Sequence, residues 1–270
     1  MNGARLHYEE QGAGRSVFFV HGTGASSFVW ERTLPYLPQG HRLITYDRRG
    51  FGKSAAPPAR RLGDHVADAA ALLRHLGAAP ALVVSQSGGG PIALRLAIDF
   101  PESVQGLVIA EPAYQVSLHP SGQVMVALGK MLGRWLVLRD PVGAAVSYYR
   151  WATRLTTGGN NYDAFPEEWR STAIAHSATT LREVLQLVPP LPSRRHLRRL
   201  SCPTMIVIGD RGVPVFRRTS ATVQRLVPGA SSVAIANTSH LVPADQPAAF
   251  AAAIIEALGP ANGTVDLPPR

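Results

Sequence analysis

The run Leu82-Val83-Val84-Ser85-Gln86-Ser87-Gly88-Gly89-Gly90-Pro91 passes from an apolar, β-branched stretch directly into a helical pattern. A strand that turns this sharply into a helix drives its corner residue toward positive φ and holds that side chain clear of the backbone. The residues two before and two after the corner must then be small. Ser85 and Gly89 meet that demand, which makes Ser87 a candidate nucleophile. The corner lies at a helix N-terminus, where the amide of Gly88 is free to donate to a developing oxyanion. The pattern differs from G-x-S-x-G in carrying Ser85 at the first glycine. Small-residue turns after strands also serve purely structural ends, so other features must decide between the two readings.

With 270 residues, 46% of them hydrophobic and 17% charged, the chain can build one large core. No apolar stretch reaches bilayer length, and the first ten residues lack the basic-then-apolar pattern of a secretory signal. A cytoplasmic location is expected. Cys202 is the single cysteine, which excludes an internal disulfide, and its place before an apolar strand suggests a small buried residue rather than a reactive thiol. A net charge of +9 raises nucleic acid as a partner. The distribution argues against it: the lysines are Lys53 and Lys130, and the arginines are scattered apart from Arg194-Arg195-His196-Leu197-Arg198-Arg199. Without interleaved aromatics that cluster reads as a solvated face, and neither nucleic acid nor membrane is expected as a partner.

Apolar strand candidates alternate with helix-length segments, the pattern of an α/β fold with a mostly parallel sheet covered on both faces. Strands are predicted at 5–9, 17–21, 43–46, 81–85, 104–110, 204–208 and 233–236, and helices at 64–76, 88–100, 216–227 and 247–258, the last with Asp245 as N-cap and Gly259 as stop. The tail 260–270, rich in Pro, Gly and polar residues, is expected to fray. The alternation fails over 113–195, where helical patterns occur without a convincing strand. This suggests a core of 1–112 and 196–270 with a helical cap inserted at 113–195. The insertion holds Trp135, Tyr149, Trp151 and Trp169. Such aromatics either form its own core or line a substrate pocket beneath it.

In an open parallel sheet ligands gather beyond the carboxyl ends of the strands. The loop Gly22-Thr23-Gly24-Ala25-Ser26-Ser27 follows the second strand, and its Thr23 amide is a candidate second oxyanion donor. After the third strand comes Asp47-Arg48-Arg49-Gly50-Phe51-Gly52-Lys53-Ser54, in which Asp47 and Arg48 read as loop braces. His21-Gly22, the stretch Tyr46 to Ser54, the Ser87 elbow and Thr238-Ser239-His240, in this order and spacing, resemble the α/β-hydrolase superfamily over nearly the whole length. The Tyr46 to Ser54 stretch and the triple glycine after Ser87 are most similar to bacterial esterases and the non-haem haloperoxidase branch. The resemblance implies a Ser-acid-His triad beneath a cap, with His240 in the place of the general base that a serine hydroxyl requires.

Members of this superfamily usually carry the acid in a G-x-x-D turn, but here the turn reads Gly209-Asp210-Arg211-Gly212. Glycine cannot orient an imidazole. Glu111, which follows the strand 104–110, stands where some haloalkane dehalogenases and zearalenone-type lactonases place a carboxylate. That resemblance suggests Glu111 as the acid, with Asp210 as the alternative and a site lacking an acid as the third possibility. Gly88-Gly89-Gly90 is followed by no Lys-Ser/Thr, no dinucleotide fingerprint follows the first strand, and no metal-ligand spacing occurs among the histidines. The expectation is a serine hydrolase needing no cofactor or metal and acting on an apolar carboxylic ester or lactone. Ser87, His240 and Glu111 would be catalytic, Gly88 and Thr23 would form the oxyanion hole, and Trp135, Tyr149, Trp151 and Trp169 would bind substrate. Other chemistry on the same constellation (C–C bond hydrolysis, peracid formation, acyl transfer) and a non-catalytic small-molecule receptor are the rival readings.

Overall fold

A computed structural model describes residues 2–113, 122–186 and 192–259. Seven strands form one sheet: β1 (Tyr8–Gln11), β2 (Arg15–Val20), β3 (His41–Tyr46), β4 (Ala81–Gln86), β5 (Val104–Ala110), β6 (Thr204–Gly209) and β7 (Ser231–Ile235), in the order β1-β3-β2-β4-β5-β6-β7. Only β1 runs antiparallel to its neighbour, with Tyr8 opposite Tyr46. The expected first strand, 5–9, therefore begins later than its apolar pattern suggested, and Arg5 instead makes an isolated bridge to Ala55. The parallel register pairs Val20 with Ser85, Gln86 with Ala110, Ala110 with Val207 and Gly209 with Ile235. These pairings align the strand tips, so the loops that carry His21 to Thr23, Ser87, Glu111 and His240 leave from one edge of the sheet.

The period-2 alternation of side chains divides the core in two. Phe18, Val20, Ala81 and Val83 face one side, packing with α1 (Leu62–His75) and α2 (Gly89–Asp99) through Leu72, Leu73, Ile92 and Leu96. Val17, Phe19, Leu82 and Val84 face the other, against Trp30 and against Phe250 and Ile254 of the last long helix. Every residue of β4 is buried, as a central strand covered on both faces requires.

Between β5 and β6 the described residues form helices and no strand of the sheet: α3 (Gly122–Leu132), a wider helical turn over Gly133–Val137, α4 (Pro141–Ala152), α5 (Glu167–Ala175), α6 (Ser177–Gln186) and the short α7 (Arg194–Leu197). Asp140 caps α4 by accepting from the Gly143 amide at 2.7 Å, with Pro141 at the first helical position. These helices share an apolar cluster built on Met131, Ala144, Ala145, Tyr149, Tyr162 and Leu181. In α7 the arginines and His196 are exposed while Leu197 is buried, so the basic cluster is a solvated face.

The chain closes through α8 (Pro214–Leu226), β7, the short α9 (Val242–Asp245) and α10 (Pro247–Leu258). Asp245 does not cap α10 as expected. The cap position is Gln246, which makes no side-chain cap bond, and the Asp245 carboxylate turns instead to the loop that carries His240. The tail 260–270 lies outside the described residues. Among the described residues no helix is long and apolar enough to cross a membrane.

The turn from β4 into α2 leaves no room for side chains. A Cβ on Gly89 would collide with the carbonyl oxygen of Val20, and one on Gly90 would come within 2.8 Å of Pro112 Cβ. The obstacle at Gly89 is backbone of the adjacent central strand, which cannot step aside. Gly89→Ala is therefore expected to destabilise the protein by about 1–3 kcal/mol, the usual cost of overpacking, read from the midpoint of urea unfolding.

Candidate functional site

Ser87 sits at φ +51 in the corner between β4 and α2, one of the few non-glycine residues in the left-handed region. Its amide is tied to the Ala110 carbonyl at 2.9 Å, and its own carbonyl accepts from Gly90 and Ala113. The backbone on both sides of the corner is thus fixed and the side chain projects above the sheet edge. Ser87 Oγ lies 2.8 Å from His240 Nε2, and His240 Nδ1 lies 2.8 Å from Glu111 Oε2. All three side chains are buried, Glu111 completely.

Glu111 itself has φ +43, and its amide bonds to Val207 O, which continues the β5–β6 pairing by one residue before the chain turns away. Its second carboxylate oxygen accepts from the Gly209 amide at 2.9 Å. Both oxygens of this buried group thus have a donor, the condition under which a charge can be held away from water. Gly212 lies beside the pair: a Cβ there would stand 3.7 Å from Glu111 Oε2 and 3.2 Å from the His240 amide. The carboxylate rising from β5 fills the space that a side chain on the turn after β6 would enter. Asp210 contributes differently, accepting from the Thr238 amide at 3.1 Å and so shaping the loop before His240 without reaching the imidazole.

Four further residues hold His240 or its loop, none of them assigned to the site from the sequence. Phe216 of α8 stacks on the imidazole with ring centroids 3.6 Å apart and planes at 17°. Gln86 donates to the His240 carbonyl at 3.1 Å. Asp245 accepts from both the amide and the hydroxyl of Ser239, at 2.7 and 2.6 Å, and Asn161 donates to Asp245 and to Ser239 Oγ. Gln86 and Asp245 had a signal to read, as polar residues flanking the elbow and following the histidine loop. The Phe216 contact depends on how α8 enters the sheet, which spacing along the chain does not encode.

Gly88 and Thr23 lie side by side next to Ser87. A Cβ on Gly88 would collide with Thr23 Oγ1 and stand 3.1 Å from the Thr23 nitrogen, and neither amide finds an acceptor among the described residues. Thr23 Oγ1 is also buried without a partner. Thr23 and Ser87 open on a cavity lined by His240, Phe28, Tyr148, Tyr149, Tyr162, Phe165 and Trp169, among others. Of the four aromatics expected to meet substrate, Tyr149 and Trp169 line this cavity while Trp135 and Trp151 do not. Trp135 packs in the helical cluster, and Trp151 lies behind Phe216 at a centroid distance of 5.8 Å. Tyr149 is anchored through its hydroxyl to Ala173 O and Thr180 Oγ1, so it presents its ring to the cavity and its polar tip to the helices.

A family model described as the alpha/beta hydrolase family matches residues 17–253. The chain belongs to the alpha/beta hydrolase family. Within it, the chain is 41% identical over 99 residues to a non-heme haloperoxidase of Rhodococcus erythropolis, a stretch covering 36% of each protein. It is 24% identical over 278 residues to haloalkane dehalogenase 2 of Mycobacterium tuberculosis, covering 94% of this chain and 92% of the relative. Of solved alpha/beta hydrolase structures, a thermophilic esterase from Thermogutta terrifontis superposes with a TM-score of 0.77 at 24% identity, over 94% of this chain and 92% of that one. The matches to the first two curated relatives span less than half of those proteins' length.

The wall behind the cavity is electrostatically unusual. His21 and His65 are both buried, and burial first, then the positive charge of Arg48, hold their pKa values well below 6.5. Both rings are neutral in the folded protein and take up a proton near pH 6.5 when the chain unfolds. Stability is then complete above pH 6.5 and is lost as the pH falls below it, because the unfolded state binds the extra protons. Urea unfolding is expected to lose about 1 kcal/mol for each histidine between pH 6.5 and 5.5, with the slope approaching about 1.4 kcal/mol per pH unit at lower pH.

Proposed function

We propose that the protein is a serine hydrolase of apolar carboxylic esters or lactones, acting through an acyl-enzyme on Ser87. The observation that carries this reading is the unbroken chain of contacts Ser87 Oγ to His240 Nε2 and His240 Nδ1 to Glu111 Oε2, each 2.8 Å, at the floor of a cavity walled by aromatic rings. In the first step His240 Nε2 takes the Ser87 proton as Oγ bonds to the substrate carbonyl carbon, and the Gly88 and Thr23 amides stabilise the oxyanion. Collapse breaks the bond to the leaving oxygen, which receives the proton from His240. Water, deprotonated by the same imidazole, then attacks the acyl carbon and releases the acid with Ser87 restored. Glu111 keeps Nδ1 protonated and stabilises the imidazolium that forms in both steps.

The helices between β5 and β6 act in this reading as a cap: Tyr149 and Trp169 exclude water from the reacting carbonyl and leave space for an apolar acyl or alcohol group. A lactone differs from an open ester only in that the leaving oxygen stays tethered to the acyl group. Esterase and enol-lactonase structures occur among the structural neighbours, which agrees with that choice of substrates.

Two measurements test the reading. An organophosphonate is expected to modify Ser87 stoichiometrically and abolish hydrolysis of p-nitrophenyl esters; reversible binding without modification would indicate a receptor. Glu111→Gln should lower kcat by about 10³–10⁴-fold with the fold retained, since it removes the partner that sets the imidazole tautomer, whereas Asp210→Asn should leave kcat near that of the parent. The exchange Glu111→Gly with Gly212→Asp moves the carboxylate to the turn after β6, and glycine accommodates the positive φ at 111. It should be more active than Glu111→Gly alone.

A further inference from the structure

The peptide unit joining Gly22 to Thr23 is held from behind chiefly by His21 and Arg48, neither of which lines the cavity. Its carbonyl oxygen accepts from His21 Nδ1 at 2.8 Å, from Arg48 Nη2 at 2.9 Å and from the Ala25 amide at 3.4 Å. In a planar trans peptide the C=O and N–H bonds point in opposite directions, so fixing the Gly22 oxygen fixes where the Thr23 N–H points. A cation on that oxygen also polarises the amide and strengthens its donor end. The His21 tautomer is set in turn, because its Nε2 accepts from the Arg48 amide at 2.9 Å and its Nδ1 must then carry the proton.

Arg48 is wholly buried, and its charge is matched by Glu183 of α6, which takes a contact from Nη1 and a second from Nη2 at 3.1 Å. The Phe51 ring lies under the guanidinium at 4.9 Å, and His65 Nε2 stands 3.4 Å from Nη1. The fork of the guanidinium therefore spans two units of the structure: Nη2 reaches both the backbone beside Ser87 and a carboxylate on the helical segment between β5 and β6. A cation buried to brace a loop alone could have been replaced by an uncharged donor, and α6 would then need no buried glutamate at this point.

We propose that Arg48 and Glu183 are positioning residues for oxyanion stabilisation, with Glu183 on α6 holding the Arg48 guanidinium in the place from which it orients the Thr23 amide. The proposal rests on the serine-hydrolase reading and extends it, making the donor strength at Thr23 depend on how α6 is seated. Docking of the helical segment is thereby coupled to the chemical step as well as to the shape of the cavity.

The test uses two variants of the full chain and two probes. Arg48→Met with Glu183→Leu removes both charges together and leaves no unpaired buried ion, which favours folding. Arg48→Lys keeps a cation for Glu183 but gives up the fork. A trifluoromethyl ketone matched to the best p-nitrophenyl ester forms a hemiketal whose oxyanion needs the Thr23 amide, while the corresponding alcohol fills the cavity without one. The double variant is expected to lose about 10²-fold in kcat, and Arg48→Lys about tenfold, the range for weakening one oxyanion donor, with KM nearly unchanged. Affinity for the ketone should fall by the same factors and affinity for the alcohol should not. Parent-like kcat and ketone affinity in either folded variant overturns the proposal, as does a loss confined to KM and shared by both probes. A parent protein that neither hydrolyses esters nor captures the ketone overturns the hydrolase reading itself, and this inference with it.

Discussion

A carboxylate sealed from water at the tip of β5 is the constraint around which the site is arranged. Isolated, such a charge would be too costly to bury, and it persists because one oxygen takes the Gly209 amide and the other the His240 ring. Those two contacts tie the ends of β5 and β6 to the loop after β7. The left-handed backbone at Glu111 is part of the same arrangement, since it turns the chain off the sheet edge while its amide still completes a bond to β6. Local strain of this kind is kept only where the surroundings determine the conformation from several sides. Here they are Val207, Gly209, His240 and the packing of Pro112 on Gly90.

Much of this was legible along the chain, and the parts that were share a physical cause. The strand over Val104–Ala110 and the helix over Pro247–Leu258 have the expected bounds, because a nearly continuous buried run and an apolar helix bounded by Pro247 and Gly259 are local properties. The corner at Ser87 was legible for the same reason: it needs small residues at fixed offsets. Spacing along the chain favours Glu111 without excluding Asp210, because the choice depends on three strand tips meeting, a fact of register rather than of sequence. Asp245 departs from the expected cap because a carboxylate just before a helix can serve either the helix or a loop packed beside it, and Ser239 offers it two donors at once.

The aromatic residues show the limit of composition as a guide. All four rings expected at the substrate lie in the helical segment, yet only Tyr149 and Trp169 reach the cavity. What separates them is where each helix is anchored. Tyr149 is drawn against the loop after β2, where Gly24 at φ +75 leaves the space its ring occupies. Trp169 is stacked on Phe28 and lies beneath Arg32. Among the described residues Trp135 packs only with the helical cluster, and Trp151 is separated from the imidazole by Phe216.

The empty position at Gly212 has a consequence beyond the placement of one charge. Where the turn after β6 must present an acid, its length and path are bound to the histidine, and any insertion there displaces the chemistry. In this chain that turn carries no such duty. Its path is set by backbone contacts to Thr238, and the helix that follows is free to bring Phe216 flat against the imidazole. Because the carboxylate facing the imidazole rises from β5, the turn after β6 serves the histidine loop only as a brace, through Asp210 and the Arg211 amide on Thr238, and a glycine suffices where it passes closest to His240.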